Sequence, residues 1–370
     1  MILYTISWLT SPYVFYPFIV QGIISILLVR YALSKCKPLD RISKETHSKY
    51  PAFERDDKSS WVNYKFYIFG FCFFFLRCII ALSGMLTCAL IAKILLLSGG
   101  ATSQGEVKYE QRKSAETLVR LVSRIFLFGL GILWITEEDV DVDYTEYLGN
   151  GYDKKDRVCT VVANHTSWFD IHYFMYSRYL PAFVSKEAVK HAPIVNLVGR
   201  YLGMMYINRQ SDKANREKFI QALEQRQFEM EDGKEKVHLV IYPEGTTSNG
   251  KYLMEFKRGA FAANLPVKPV CIKYSGGHYR PTFESLKFLP FTILLLCNPI
   301  NTAHVRHLPI FVPNDYLYEN HKKLADSKPM IYAEAVRKIM ADNSDLQVSD
   351  QTVKDKLEYL DVVYDQKKFT

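Results

Sequence analysis

Residues 157–170 read RVCTVVANHTSWFD, an apolar run that ends at Ala163 and is followed by a polar turn and a helical pattern. Short apolar runs alternate with helical patterns from about residue 140 onward, which predicts an α/β domain with a mostly parallel sheet flanked by helices. His165 then lies on a strand-to-helix turn, at the edge where such sheets bind ligands. Asp170 falls in the first turn of the helix, where it can hold the imidazole in one tautomer and make His165 a general base. A histidine and an aspartate on a solvated loop would give the same spacing.

Three further segments carry polar residues next to predicted strands. The run VHLVIY is followed by YPEGTTSNG at 242–250, a turn whose hydroxyls, amides and backbone N–H groups can cradle a phosphate. The segment GMMYINR at 203–209 ends in an arginine that can bind a phosphate bidentately. The fourth segment is VKPV at 267–270. The candidate substrate-binding residues are Asn164, Arg209, Glu244, Gly245, Thr246, Asn249 and Lys251.

The composition narrows the class of protein. Hydrophobic residues make up 48% of the 370 residues, which excludes a disordered chain. The 47 Lys and Arg residues exceed the 39 Asp and Glu residues by eight, a balance that suits anionic partners. Nucleic acid is not an expected partner, because the sequence has no basic run of five residues and no nucleic-acid motif. The seven cysteines are irregularly spaced and form no CxxC pair, so neither a disulfide framework nor a metal site is expected.

Two apolar stretches near the N-terminus predict membrane-embedded helices. Residues 13–34 contain one charged residue and are long enough to cross a bilayer core of about 30 Å; a buried core helix is the alternative. Residues 66–97 are long for one span and short for two, and both flanks are basic. We therefore expect a hairpin that turns near Ser83–Gly84, with a single tilted span as the alternative. The basic residues that follow residue 34 place 35–65 in the cytosol.

These patterns divide the chain into four parts. Residues 98–139 combine a Gly/Ser-rich linker with an amphipathic helix at 115–135. This helix is expected at the membrane interface, and packing on the next domain is the alternative. The predicted parts are the membrane-embedded helices at 1–97, the linker and interfacial helix at 98–139, the α/β domain at 140–315 and a helical tail at 316–370.

Taken together and in this order, the segments NHTSWFD, GMMYINR, YPEGTTSNG and VKPV resemble the four blocks of the glycerolipid acyltransferase superfamily, the His-x4-Asp acyltransferases. The chain is most similar to the branch that acylates lysophosphatidylcholine and lysophosphatidylethanolamine, because Glu244-Gly245 is followed four residues later by Asn249. Thr247 stands where the branch that forms phosphatidic acid more often has Arg. The EF-hands of larger relatives have no counterpart here, so the resemblance implies no calcium regulation.

The resemblance implies the glycerolipid acyltransferase fold and a membrane-bound enzyme. Such an enzyme would move a fatty acyl group from acyl-CoA, its co-substrate, to the free hydroxyl of a lysophospholipid, without a bound cofactor or metal. His165, oriented by Asp170, would remove the hydroxyl proton, while Arg209 and the Glu244–Asn249 turn would hold the phosphate and headgroup. Lysophosphatidic acid or glycerol 3-phosphate is an alternative acceptor. A non-catalytic subunit with partners in a larger membrane complex is the alternative role.

The last residues, Lys367-Lys368-Phe369-Thr370, resemble the dilysine retrieval signal of endoplasmic-reticulum membrane proteins. We therefore expect that membrane, with the catalytic domain in the cytosol, and the mitochondrial membrane is the alternative. The expected partners are acyl-CoA, a lysophospholipid and the lipid bilayer.

Overall fold

A computed structural model describes residues 11–102, 105–208 and 212–364. Its helices are Pro12–Cys36, Lys44–Lys49, Asn63–Leu95, Tyr109–Ser114, Glu116–Gly129, Thr145–Leu148, Asp170–Tyr176, Pro193–Leu202, Lys213–Glu231, Phe288–Cys297, Asp315–Asn320, Lys328–Asp342 and Val353–Tyr364. Its strands are β1 (Ile132–Asp139), β2 (Thr160–Ala163), β3 (Ala182–Lys186), β4 (Met205–Ile207), β5 (Leu239–Ile241), β6 (Tyr252–Leu253), β7 (Val267–Ser275), β8 (Asn301–His307) and β9 (Gln347–Val348).

Seven strands form the main sheet in the order β1-β8-β7-β2-β5-β3-β4. Only β7 and β8 are antiparallel neighbours, so the predicted α/β class with a mostly parallel sheet is confirmed. Strand β2 lies between β7 and β5, and Thr160 is in register with Leu239 of β5. The carboxyl ends of β2 and β5 therefore meet at one edge, and the two polar turns that follow these strands lie side by side.

Strand β2 is buried on both faces, as a central parallel strand should be. Val161 and Ala163 pack into the core cluster that contains the N-terminal apolar helices, whereas Val162 packs into the cluster on the other face. This alternation is the period of two of a strand, and it explains why TVVA is a continuous apolar run. The strand thus anchors His165, two residues beyond its end, to both cores.

The second apolar stretch is one continuous helix, Asn63–Leu95, so the predicted hairpin at Ser83–Gly84 is wrong. Gly84 does not turn the chain. It lets the helix approach the helix Glu116–Gly129 closely, because a Cβ atom at this position would lie 3.1 Å from the Cβ of Phe126. At about 1.5 Å per residue the 33-residue helix extends for roughly 50 Å. By length and composition, this helix and Pro12–Cys36 could each cross a membrane.

The helix Asn63–Leu95 nevertheless lies against the α/β domain along its length. Gly70 contacts the helix Phe288–Cys297, since a Cβ atom there would lie 2.9 Å from the sulfur of Cys297. Arg77 Nη1 donates to the carbonyl of Leu296 at 2.9 Å, and its guanidinium also bonds the carbonyls of residues 298 and 299. One face of the helix is therefore fixed to the domain, while the other is exposed and apolar.

The segments before and after this helix are also attached to the domain. Before it, the N–H of Val62 donates to Nδ1 of His278 at 3.3 Å. After it, the N–H of Val107 donates to the carbonyl of Arg200 at 3.0 Å. The chain therefore returns to the same body at each end of the helix.

The boundaries of the α/β domain differ from the predicted ones. The helix predicted at the membrane interface ends at Gly129, and residues 132–139 form the edge strand β1, so the sheet begins before the predicted boundary at residue 140. The predicted tail is part of the folded domain: Tyr332, Val336 and Tyr359 are fully buried in its cores. The physical reason is that the last helices carry apolar faces that cover the sheet.

Candidate active site

The histidine and the aspartate of the first motif are in direct contact. Asp170 Oδ2 accepts a hydrogen bond from Nδ1 of His165 at 2.8 Å. The same oxygen accepts from the backbone N–H groups of Thr166 at 2.9 Å and Ser167 at 3.0 Å. Asp170 is fully buried, whereas the His165 side chain is 21% exposed. The carboxylate thus fixes the ring through Nδ1 and leaves Nε2 as the nitrogen that can exchange a proton with a substrate.

The turn after β5 holds the backbone of His165 on both sides. Glu244 Oε1 accepts from the His165 N–H at 2.8 Å, and the N–H of Ser248 donates to the His165 carbonyl at 2.9 Å. The other oxygen of Glu244 accepts from the N–H of Met254 at 3.1 Å. Burial raises the pKa of Glu244 to about 8, although these two donors oppose the shift. Glu244 therefore positions the histidine, and both of its oxygens have partners inside the protein.

Tyr242, at the carboxyl end of β5, stacks on the imidazole. The ring centroids are 4.1 Å apart and the planes differ by 18°. This contact restricts rotation of the His165 ring. The sequence motifs did not predict this role for Tyr242. Its position was the signal, since a residue that directly follows a buried strand lies at the same edge of the sheet as His165.

Two predicted substrate-binding residues, Asn164 and Asn249, are buried and bonded to the backbone. Asn164 donates to the carbonyl of Ile272 at 2.8 Å and accepts from its N–H at 2.7 Å, and so continues the pairing of β2 with β7. Asn249 donates through its amide to the carbonyls of Pro51 at 2.8 Å and Glu54 at 3.1 Å. Asn249 therefore fixes the segment between the two apolar helices beside the candidate site.

The remaining predicted ligands differ in accessibility. Gly245 has φ +71°, a left-handed backbone conformation that favours glycine. Thr246 is partly exposed. Lys251 pairs with Asp56, another residue of the segment between the apolar helices. Arg209 lies outside the described residues.

Known proteins resemble the chain over the same region. A family model described as Acyltransferase matches residues 144–273, which include His165 and Asp170. Lysophospholipid acyltransferase LPEAT1 of Arabidopsis thaliana is 31% identical over 277 residues, which are 70% of this chain and 67% of the relative. The chain belongs to the acyltransferase family.

This acyltransferase matches only about half of the length, or less, of two other relatives. Lysophospholipid acyltransferase LPCAT4 of Xenopus tropicalis is 27% identical, over 78% of this chain and 51% of the relative. Human lysophosphatidylcholine acyltransferase 2 is 25% identical, over 66% of this chain and 41% of the relative. The solved structure of the 1-acyl-sn-glycerophosphate acyltransferase PlsC from Thermotoga maritima is 20% identical with a TM-score of 0.41, over 72% of this chain and 97% of that one.

The acyltransferase motif adjoins an exposed apolar surface. Trp168 packs on Phe288, with ring centroids 5.6 Å apart, and on Phe126 at 6.3 Å. Phe288 and its neighbour Leu289 are both more than half exposed. The turn that carries His165 is therefore linked by aromatic contacts to the face that carries the apolar helices.

Metal chemistry has no candidate site in the part of the chain that the structure describes, where no group of three His, Cys, Asp or Glu side chains could hold an ion.

Proposed function

We propose that this acyltransferase moves a fatty acyl group from acyl-CoA to the free hydroxyl of a lysophospholipid. The contact between His165 Nδ1 and the buried Asp170 carboxylate carries the proposal, because it is the arrangement of a general base with its orienting acid. The names of the relatives, which are lysophospholipid and lysophosphatidylcholine acyltransferases, support the substrate class. Acceptors with choline or ethanolamine headgroups are favoured.

In the proposed reaction, Nε2 of His165 takes the proton from the acceptor hydroxyl as its oxygen attacks the thioester carbonyl. The tetrahedral intermediate collapses, the carbon–sulfur bond breaks, and an ester and CoA thiolate form. The imidazolium then returns its proton to the thiolate, so His165 is regenerated. Asp170 stabilises the imidazolium at each turnover.

Two effects would accelerate the proposed acyl transfer. General-base assistance contributes roughly 10²–10⁴-fold. Binding both substrates together supplies a further large share, because it turns an encounter of two molecules into a unimolecular step. No acyl-enzyme is required.

The phosphate and headgroup sites remain proposals. Arg209, Gly245 and Thr246 are proposed to bind the acceptor, and the partial exposure of Thr246 within the turn that holds His165 supports this for Thr246. For Asn164, Glu244 and Asn249, and likewise for Lys251, the protein contacts favour an indirect role in which they shape the site.

Membrane attachment is proposed to occur through one face of the protein. The helix Asn63–Leu95 is fixed to the domain along its middle and just before its first residue, so we expect it to lie in the membrane surface rather than to cross the bilayer away from the domain. The exposed apolar faces of the helices Asn63–Leu95 and Pro12–Cys36 would enter the lipid. The endoplasmic reticulum, with the catalytic domain in the cytosol, is the proposed location.

The test is product formation by the purified chain in lipid nanodiscs with one acyl-CoA and a panel of acceptors. The panel contains lysophospholipids with choline, ethanolamine and acidic headgroups, lysophosphatidic acid and glycerol 3-phosphate, and mass spectrometry identifies the product. We expect the diacyl product of the choline or ethanolamine acceptor to dominate. A product from lysophosphatidic acid or glycerol 3-phosphate alone would replace the acceptor, and no product from any of them would favour the non-catalytic role.

A further inference from the structure

A buried lysine from the C-terminal helix bonds the turn that follows β5 and holds His165. Lys356, on the helix Val353–Tyr364, donates through Nζ to the carbonyl and to the hydroxyl of Thr247, both at 2.7 Å. Nζ also lies 3.5 Å from the carbonyl oxygen of Phe283, and Lys356 is only 8% exposed. Lys356 could not be predicted from the sequence, because a single lysine in an amphipathic helix does not indicate a function.

One peptide group connects the Lys356 ammonium with the backbone of His165. The carbonyl that accepts from Lys356 and the N–H that donates to the His165 carbonyl at 2.9 Å belong to the same peptide group, between Thr247 and Ser248. A cation on the carbonyl polarises this peptide and strengthens the hydrogen bond that its N–H donates. The chain Lys356–peptide–His165 therefore connects the C-terminal helix with the backbone of the proposed base.

The surroundings of Lys356 make this placement costly. Burial lowers the pKa of Lys356 to about 7. Of the charged groups that face it, Glu284 and Glu244 favour the ammonium form and Lys186 opposes it. Glu284 is itself paired with Arg55 at 3.0 Å, so the ammonium directs its hydrogen bonds to the turn. Because an apolar residue would fill the same space at lower desolvation cost, we infer a role beyond stability.

The C-terminal helix has anchors that do not involve Lys356. Tyr359 is fully buried, and the hydroxyl of Tyr364 donates to the carbonyl of Ser285 at 2.9 Å. Just before the helix, the Gln351 side chain accepts from the N–H of Ala52 at 3.0 Å. A variant at Lys356 is therefore expected to keep the helix in place.

We propose that Lys356 is a positioning residue for acyl transfer, which acts through Thr247 to hold the turn that fixes His165. This inference rests on the proposed function. It predicts that loss of the ammonium lowers kcat and leaves KM for both substrates unchanged, because Lys356 has no direct contact with the reacting atoms.

The experiment compares K356M, K356R and K354M in the full chain in nanodiscs. Lys354 is the matched control, since it lies on the same helix with its side chain 86% exposed. A displaced catalytic group costs up to about 100-fold in rate, so we expect K356M to lower kcat on the order of tenfold with KM within about twofold of the wild type. K356R keeps the charge and the donors and should retain most of kcat. K354M should match the wild type.

A second measurement separates this proposal from the proposed function. The rate at which diethylpyrocarbonate modifies His165, followed by peptide mass spectrometry, reports the setting of the imidazole without any substrate. K356M should change this rate several-fold and K354M should not, even if the wild type transfers no acyl group to the panel. An unchanged modification rate in folded K356M would overturn the proposal, as would a kcat equal to that of the wild type or a K356R variant that falls as far as K356M.

Discussion

Replacing Asp170 with asparagine would remove the negative charge beside His165 while keeping the size of the side chain. One carboxylate oxygen, Oδ2, accepts hydrogen bonds from His165 Nδ1 and from the N–H groups of Thr166 and Ser167. The amide oxygen of asparagine can take that place and preserve the turn. D170N therefore isolates the charge, whereas D170A also removes the three bonds.

The size of the expected loss in kcat follows from the short distance between the Asp170 carboxylate and the His165 ring. The 2.8 Å contact places the charge of Asp170 roughly 4 Å from the centre of the imidazolium that forms in the reaction, where the attraction is about 4 kcal/mol at an effective dielectric constant near 20. The full charge develops only after the proton has moved, so part of this energy appears in the barrier. We expect kcat to fall about 10²–10³-fold, since each 1.4 kcal/mol corresponds to about tenfold.

The assay is steady-state acyl transfer by the wild type, D170N and D139N in nanodiscs. Asp139 is the matched control because it is exposed and pairs with Arg178 on the surface. D170N should lose kcat with little change in the thermal unfolding midpoint, and D139N should behave as the wild type. A D170N variant that keeps kcat within about threefold of the wild type would refute the role of the carboxylate as the partner of the base.

Two further predictions concern stability. R55M should lower the free energy of unfolding by about 3–5 kcal/mol, because it leaves the fully buried carboxylate of Glu284 without its 3.0 Å partner; thermal unfolding of the purified protein measures this, and an unchanged midpoint would contradict it. The pKa of Glu244, raised by burial from 4.5 to about 8, means that the folded state holds a proton that the unfolded state releases, so this contribution to stability falls as the pH rises from about 4.5 to 8. The wild type should therefore lose stability relative to E244Q over that range, and a constant difference between their unfolding midpoints at pH 5 and pH 8 would disprove this.

The local pattern was enough to predict the fold class and the contact between His165 and Asp170. The run TVVA is buried on both faces, and the spacing from His165 to Asp170 closes one turn at a helix N-terminus, which depends only on neighbouring residues. The hairpin at Ser83–Gly84 was mispredicted because a glycine in an apolar run favours both a turn and a close helix contact. Only the packing partner, Phe126, decides between the two.

The roles of the buried polar residues could not be predicted, because their partners lie far away in the sequence. Asn249 bonds the carbonyl of Pro51, 198 residues earlier, and Lys356 bonds Thr247, 109 residues earlier. A motif shows which side chains follow a strand, but not which of them the rest of the chain will cover. Residues that looked like ligands therefore lie inside the fold, where they support the site.

The most direct test of the account is the release of CoA by the wild type and by H165A, with lysophosphatidylcholine and lysophosphatidylethanolamine as acceptors. H304A is the matched control, since His304 lies on strand β8 and pairs with Glu138 at 3.2 Å. The account predicts acceptor-dependent release by the wild type and H304A, equal in amount to the phospholipid formed, and a loss of about 10²–10⁴-fold in H165A. Release by folded H165A at the wild-type rate would contradict the assignment of His165 as the base.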